Sequence, residues 1–152
     1  MSITLHPMTP ADQSALEAAL APYLAEIVPG QTLDIPGIAA RQFGPARHPF
    51  WILRGDTRIG FALAFTHDDG THELAEFTIF PDHRRAGTGR DAARRVFARL
   101  PGRWVIGVAA HGMAGAFWED ALAQMPDLKK GPGLTPSQSH SYTFTADGGD
   151  AR

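Results

Sequence analysis

Residues 84–90, Arg84-Arg85-Ala86-Gly87-Thr88-Gly89-Arg90, combine two features that an anion site needs: backbone open to close approach, and positive charge. Gly87 and Gly89 carry no Cβ, so they permit unusual dihedral angles and let a ligand come near. Ala92, Ala93, Val96, Phe97 and Leu100 recur at helical spacing, which predicts a helix directly after the glycines, ended by Pro101-Gly102. The first N–H groups of a helix lack partners within it, and the aligned peptide dipoles place about half a positive charge there. Arg84, Arg85 and Arg90 add full charges, and the sum suits a pyrophosphate. A glycine pair alone also suits an ordinary helix start with surface arginines; the preceding strand pattern and the clustered arginines favour phosphate.

Other chemistry fits the sequence less well. Gly87–Ala92 reads as the loose dinucleotide pattern G-x-G-x-x-A, but it does not follow its strand directly, and the next strand-like run ends in Ala109-Ala110-His111 without a carboxylate. His67 and His72 lack i,i+4 spacing and a third partner, so no metal is expected. Ser137, Ser139 and Ser141 flank His140 outside any G-x-S-x-G setting. Glu76 lies among Leu74, Phe77 and Ile79. A carboxylate so placed is partly desolvated, and its proton affinity rises toward that of a general base; an exposed strand glutamate or an arginine ion pair is the alternative. Strict alternation puts Glu73 on the opposite strand face.

These residues must be positioned by a small set of elements. Leu74, Phe77, Ile79 and Phe80, closed by Pro81, predict the strand that leads into the glycine turn. Before it, Ser2–His6 predicts an edge strand. Thr9-Pro10-Ala11-Asp12 predicts a helix start, with Leu16, Leu20, Leu24 and Ile27 as the apolar stripe of that helix. Pro22 is expected to kink this helix or break it in two. Residues 31–49 are rich in Pro and Gly and permit one short helix between Pro36 and Gly44. Phe50–Leu53 and Arg58–Phe65 predict strands joined at Arg54-Gly55-Asp56-Thr57, with Gly60 marking a bulge or a close neighbour. After the glycine turn come a strand at Trp104–Ala110, a helix at Met113–Met125, a mobile loop around Lys129-Lys130-Gly131, a last strand at Ser139–Thr145 and a frayed tail over 147–152.

Composition bounds the class. With 152 residues, 43% of them hydrophobic, one domain with a full core is the simplest expectation. A net charge of −2 argues against a broad nucleic-acid or anionic-membrane surface. The absence of cysteine excludes disulfides and thiol nucleophiles. No apolar run reaches membrane-span length and no signal pattern opens the chain, so a cytoplasmic protein is the default.

The turn Arg84-Arg85-Ala86-Gly87-Thr88-Gly89 resembles the coenzyme A loop [Q/R]-x-x-G-x-[G/A] of the GNAT N-acetyltransferases, and the strand closed by Pro81 precedes it as in that family. One strand later, His111-Gly112-Met113-Ala114-Gly115-Ala116-Phe117-Trp118 resembles the family segment N-x-x-A-x-x-[F/Y]-[W/Y]. The likeness covers about residues 50–125. It implies a single α/β domain over 1–146, with a mixed, mostly antiparallel twisted sheet and helices on both faces. It implies acetyl-CoA as acyl donor, held by Arg84, Arg85, Ala86, Gly87, Thr88, Gly89 and Arg90 and by the backbone of Phe77, Thr78 and Ile79, with His111, Ala114 and Phe117 along the pantetheine arm. Glu76 would then be the general base toward a primary amine of a small molecule or peptide. His111 stands where the family often has Asn, and Trp118 where many members carry a tyrosine acid; indole cannot serve as that acid, which leaves Tyr142, Tyr23 or solvent. Paired subunits are frequent in the resembled family. A non-catalytic acyl-CoA sensor or partner-binding module of the same fold is the rival.

Overall fold

The computed structural model describes residues 2–85 and 87–148. Among them seven strands form one sheet: β1 (Ile3–Pro7), β2 (Arg47–Arg54), β3 (Thr57–Thr66), β4 (His72–Ile79), β5 (Gly102–Ala109), β6 (Lys129–Gly131) and β7 (Gln138–Ala146). Their order is β1-β2-β3-β4-β5-β7-β6. Every neighbouring pair is antiparallel except β4 with β5, which is parallel. The mixed, mostly antiparallel sheet is therefore as expected, with two antiparallel halves meeting at one parallel junction.

Four α-helices among the described residues cover the two faces: α1 (Gln13–Ile27), α2 (Ile35–Arg41), α3 (Thr88–Arg99) and α4 (Ala114–Leu122). The strand period of two sorts the side chains between them. On β2, Trp51 joins the core under α1 and α2 with Leu16, Leu20, Leu24, Phe61 and Leu63. Its neighbours Phe50 and Ile52 join the other core, under α3 and α4, with Val96, Phe97, Trp104, Trp118 and Phe144. No helix among the described residues is long and apolar enough to cross a membrane.

Several expectations are refined. Residues Pro10–Asp12 form a 3-10 turn, with the Thr9 N–H donating to the Asp12 carboxylate at 2.8 Å, so α1 proper begins at Gln13. Pro22 does not break α1 in two; the helix runs on through it. A proline inside a helix costs roughly 3 kcal/mol. Burial of Leu16, Leu20 and Leu24 on both sides of the exposed Pro22 outweighs that cost, at roughly 1.5–3 kcal/mol per leucine. Lys129–Gly131, expected as loop, is a short edge strand paired with β7, and exposed lysines suit such an edge. α4 ends at Leu122 rather than Met125.

Two bulges shape the middle of the sheet. The β2–β3 register slips between Ile52 and Leu53, opposite Gly60, where a Cβ would collide with the Thr78 carbonyl oxygen. The β3–β4 register slips between Leu63 and Ala64: Leu63 pairs with Glu76, but Ala64 pairs with Leu74 and Phe65 with Glu73. The extra residue resets the alternation, so Glu73 and Glu76 lie on one face, that of α1, and not on opposite faces.

Candidate active site

Among the described residues β4 and β5 are in register only at His72 with Trp104 and Glu73 with Val105. Beyond that point β4 runs on to Ile79 with no partner on its β5 side, and the gap opens into a cavity of about 620 Å³. One wall is β4, through Phe77, Thr78 and Ile79. The turn into α3 contributes Arg84, Arg85, Gly87, Gly89 and Arg90; the β5–α4 connection and α4 contribute His111, Ala114, Phe117 and Trp118; α1 supplies Tyr23, Glu26 and Ile27.

The direction of the β4 amides follows from the ladder. Phe80 N–H donates to the Ile59 carbonyl of β3 at 2.7 Å. By the period of two, the N–H groups of Phe77 and Ile79 face the other way, into the gap. Phe77 N–H reaches the Tyr23 hydroxyl there, at 3.4 Å.

The start of α3 is built on two glycines that line the cavity. Gly87 takes a left-handed φ of +83°, which lets the chain turn into the helix. The first turn-closing bond inside the helix runs from Asp91 N–H to Gly87 carbonyl, at 2.9 Å. A Cβ at Gly89 would lie 2.7 Å from Phe117 Cε1, so glycine is what lets the Phe117 ring pack on this turn. That ring stacks with Phe77, centroids 5.8 Å apart, and meets Trp118 at 4.7 Å, which makes an aromatic side to the cavity. Thr88 is buried and does not line the cavity; its hydroxyl accepts from Arg54 Nη2 at 3.0 Å, which braces the turn from behind. Ala86 lies outside the described residues.

The three arginines differ. Arg84 is pinned: Nε donates to the Ile79 carbonyl at 2.6 Å, Nη2 to Thr78 Oγ1 at 3.2 Å, and the guanidinium forks onto the Glu26 carboxylate of α1 at 3.1 and 3.2 Å. It ties β4, the turn and α1 together. Arg90 reaches Asp120 of α4 at 3.4 Å across the rim. Arg85 is exposed and forms no ion pair with a described residue. Met113, at the head of α4, is 80% exposed on the rim, an apolar group held in water beside the opening.

Glu76 does not itself line the cavity, but Tyr23 Oη donates to its Oε1 at 2.8 Å. Burial pushes the Glu76 carboxyl up to about 7; the Tyr23 hydrogen bond opposes this and the Glu73 charge adds to it. Glu73 is itself held by His67 at 2.9 Å. Burial, and then the neighbouring Glu76 charge, raise the Tyr23 phenol well above 10. Tyr142, predicted as an acid, is not brought to the cavity. It pairs with Ile106 in the core, and β5 stands between its strand and β4. Sequence reasoning missed the Tyr23–Glu76 bond because no spacing rule connects residues 53 positions apart. Among the described residues no group of three or more His, Asp or Glu side chains is gathered to hold a metal.

The sequence profile of the acetyltransferase (GNAT) family matches residues 14–117. The chain belongs to the GNAT acetyltransferase family. This is an acetyl-CoA-binding family. No curated protein matches the sequence. Among solved structures it is similar to an acetyltransferase from Thermus thermophilus, 25% identical, with 95% of this chain and 97% of that one covered and a TM-score of 0.73. It shares its fold with the aminoglycoside acetyltransferase AAC(6')-Ib in complex with coenzyme A, at 14% identity, 95% coverage of each chain and a TM-score of 0.70. The ribosomal-protein-S18-alanine N-acetyltransferase from Escherichia coli has the same fold, at 15% identity, 98% and 97% coverage and a TM-score of 0.64.

Proposed function

We propose that this GNAT protein moves an acetyl group from acetyl-CoA to a primary amine of a small molecule or peptide, by direct attack of the amine on the thioester. The observation that carries the reading is the gap between β4 and β5. It joins outward-facing amides of Phe77 and Ile79 to the glycine turn at the start of α3 within one cavity, with Tyr23 and Glu76 beside them. The diphosphate is assigned to the turn at Gly87 and Gly89, with Arg85 and Arg90 above it. The pantetheine arm is assigned to the channel between β4 and the Phe117 face, past His111 and Ala114. The Ile79 N–H is the donor assigned to the thioester oxygen. An alkyl ammonium ion, with a pKa of about 10.4, must lose a proton before it attacks. Glu76, raised to about 7, is ionised enough near neutrality to accept that proton and basic enough to hold it.

Calorimetric titration with acetyl-CoA tests the pocket, with NAD and ATP as controls. Free-thiol release with spermidine, kanamycin, tyramine and an alanine-initiated peptide tests transfer. Binding of acetyl-CoA with thiol release from at least one amine supports the reading. Binding without release from any of them favours the acyl-CoA sensor, a reading consistent with Trp118 in place of a tyrosine acid. Preference for NAD or ATP removes both.

A further inference from the structure

We propose that the Tyr23 hydroxyl is the proton link between the cleft and Glu76: the acceptor ammonium gives its proton to the phenol oxygen while the phenol's own proton passes to Glu76 Oε1. This rests on the acetyl-transfer reading above. Tyr23 lines the cavity and Glu76 does not. The Tyr23 hydroxyl donates to Glu76 at 2.8 Å and accepts from the Phe77 N–H at 3.4 Å, and that N–H faces the β4–β5 gap. One oxygen atom thus touches the base on one side and the thioester strand on the other. The ring is held edge-on against Phe61 at 5.3 Å, so it cannot turn aside without losing this contact and both hydrogen bonds. In this position the hydroxyl lies between the cavity and Glu76 Oε1.

The protons balance. The ammonium loses one proton to Tyr23 Oη as the phenol proton moves to Glu76, leaving a neutral amine, an intact phenol and a protonated Glu76. The amine nitrogen bonds the acyl carbon, the C–S bond breaks, and the departing sulfur takes the Glu76 proton back through the phenol. The second nitrogen proton goes to water. In sum, ammonium and thioester give amide, thiol and one proton. Tyr23 ionises well above 10, so it hands on a proton only as it receives one and never rests as phenolate. The charged groups facing this pair are Glu73 on β4, which raises Glu76, and Glu26 on α1, which raises Tyr23 and is forked by Arg84.

Tyr23→Phe keeps the ring and removes the link. Carbon-13 NMR of labelled glutamate carboxyls, with Glu76→Gln as the assignment control, reads the first consequence. The Glu76 titration midpoint moves upward in Tyr23→Phe because a donor to the carboxylate is gone. Thiol release with the four amines reads the second: turnover falls about a hundredfold, acetyl-CoA affinity by calorimetry is retained, and the solvent-isotope proton inventory changes from curved to linear. An unmoved midpoint, or turnover at the wild-type level, overturns the proposal. So does a parallel loss of coenzyme affinity and turnover with an unmoved midpoint, since that marks packing alone. Failure of the underlying reading is separate: it shows in the wild-type protein, as acetyl-CoA that does not bind or no amine that releases thiol.

Discussion

At the scale of single residues, Glu76 makes the most direct pH prediction. Its ordinary pKa of 4.5 is raised to about 7 in the folded protein, so between those values the native state holds more protons than the unfolded chain. Stability therefore falls as pH rises through that window. Glu76→Gln removes the titration, and its Tm relative to wild type is expected to climb from pH 4.5 to pH 7.5 in a calorimetric series; a flat difference would contradict the burial of this carboxyl. Acetyl transfer by the same variant is expected to drop by about 10² to 10⁴ and to lose its rate limb near neutrality, with acetyl-CoA affinity kept. Gly89 makes an opposite kind of prediction. An added Cβ sits 2.7 Å from the Phe117 ring. Gly89→Ala gains up to about 1 kcal/mol of helix propensity while forcing that ring off the turn. Acetyl-CoA binding is expected to weaken about tenfold or more, a shift near 1.4 kcal/mol, with thermal stability unchanged or slightly higher. Equal affinity in the calorimeter would show that the ring position is irrelevant to the ligand.

At the scale of elements, the strand and helix periods exposed most of this fold, and the turn at 84–90 was legible because its chemistry is local: glycines, arginines and a helix start within seven residues. The β-bulge opposite Leu63 was not legible. It leaves the β4 side-chain pattern intact on paper while moving Glu73 to the Glu76 face, and only the pairing with β3 reveals it. Tyr142 misled for the same reason, since a tyrosine two strands from β4 looks no different in sequence from one at its edge. The unpaired side of β4 carries its own prediction. Phe77 and Ile79 amides face the gap, whereas Phe80 is bonded to Ile59. Saturating acetyl-CoA is expected to slow hydrogen exchange at Phe77 and Ile79 by about tenfold or more and to leave Phe80 nearly unchanged. Uniform slowing along the strand would argue for general stiffening in place of direct contact. In α1, Pro22 is exposed and denies the helix one N–H. Pro22→Ala should stabilise the fold by about 1–3 kcal/mol, read as a Tm rise of roughly 2–10 °C, and a fall in Tm would mean that the proline sets the path of α1 past Tyr23.

At the scale of the whole molecule, the two halves of the sheet are joined by a parallel junction of two residue pairs, while the cavity walls are shared between them. α3 and α4 close the same seam from one face, with Arg90 and Asp120 bridging their ends at 3.4 Å. On the other face, Arg84 ties the turn to α1 through Glu26. A ligand lying along β4 with its diphosphate on α3 touches the first half of the sheet, the seam and α4 at once. It therefore binds the assembled state and not a chain with the halves parted. Such linkage stabilises by about 2.7 kcal/mol at a hundred times the dissociation constant, or roughly 5–10 °C in Tm for a chain of this length. Breaking the α1 tie with Glu26→Gln should lower the Tm of the free protein slightly, by about 0.5 kcal/mol as for other exposed pairs. The increment on adding acetyl-CoA should then stay the same or grow, because the ligand supplies part of the clamp itself. A thermal-shift series over acetyl-CoA concentration in both proteins decides it: an increment that shrinks in Glu26→Gln would mean that Arg84, held by Glu26, is itself part of the coenzyme's grip.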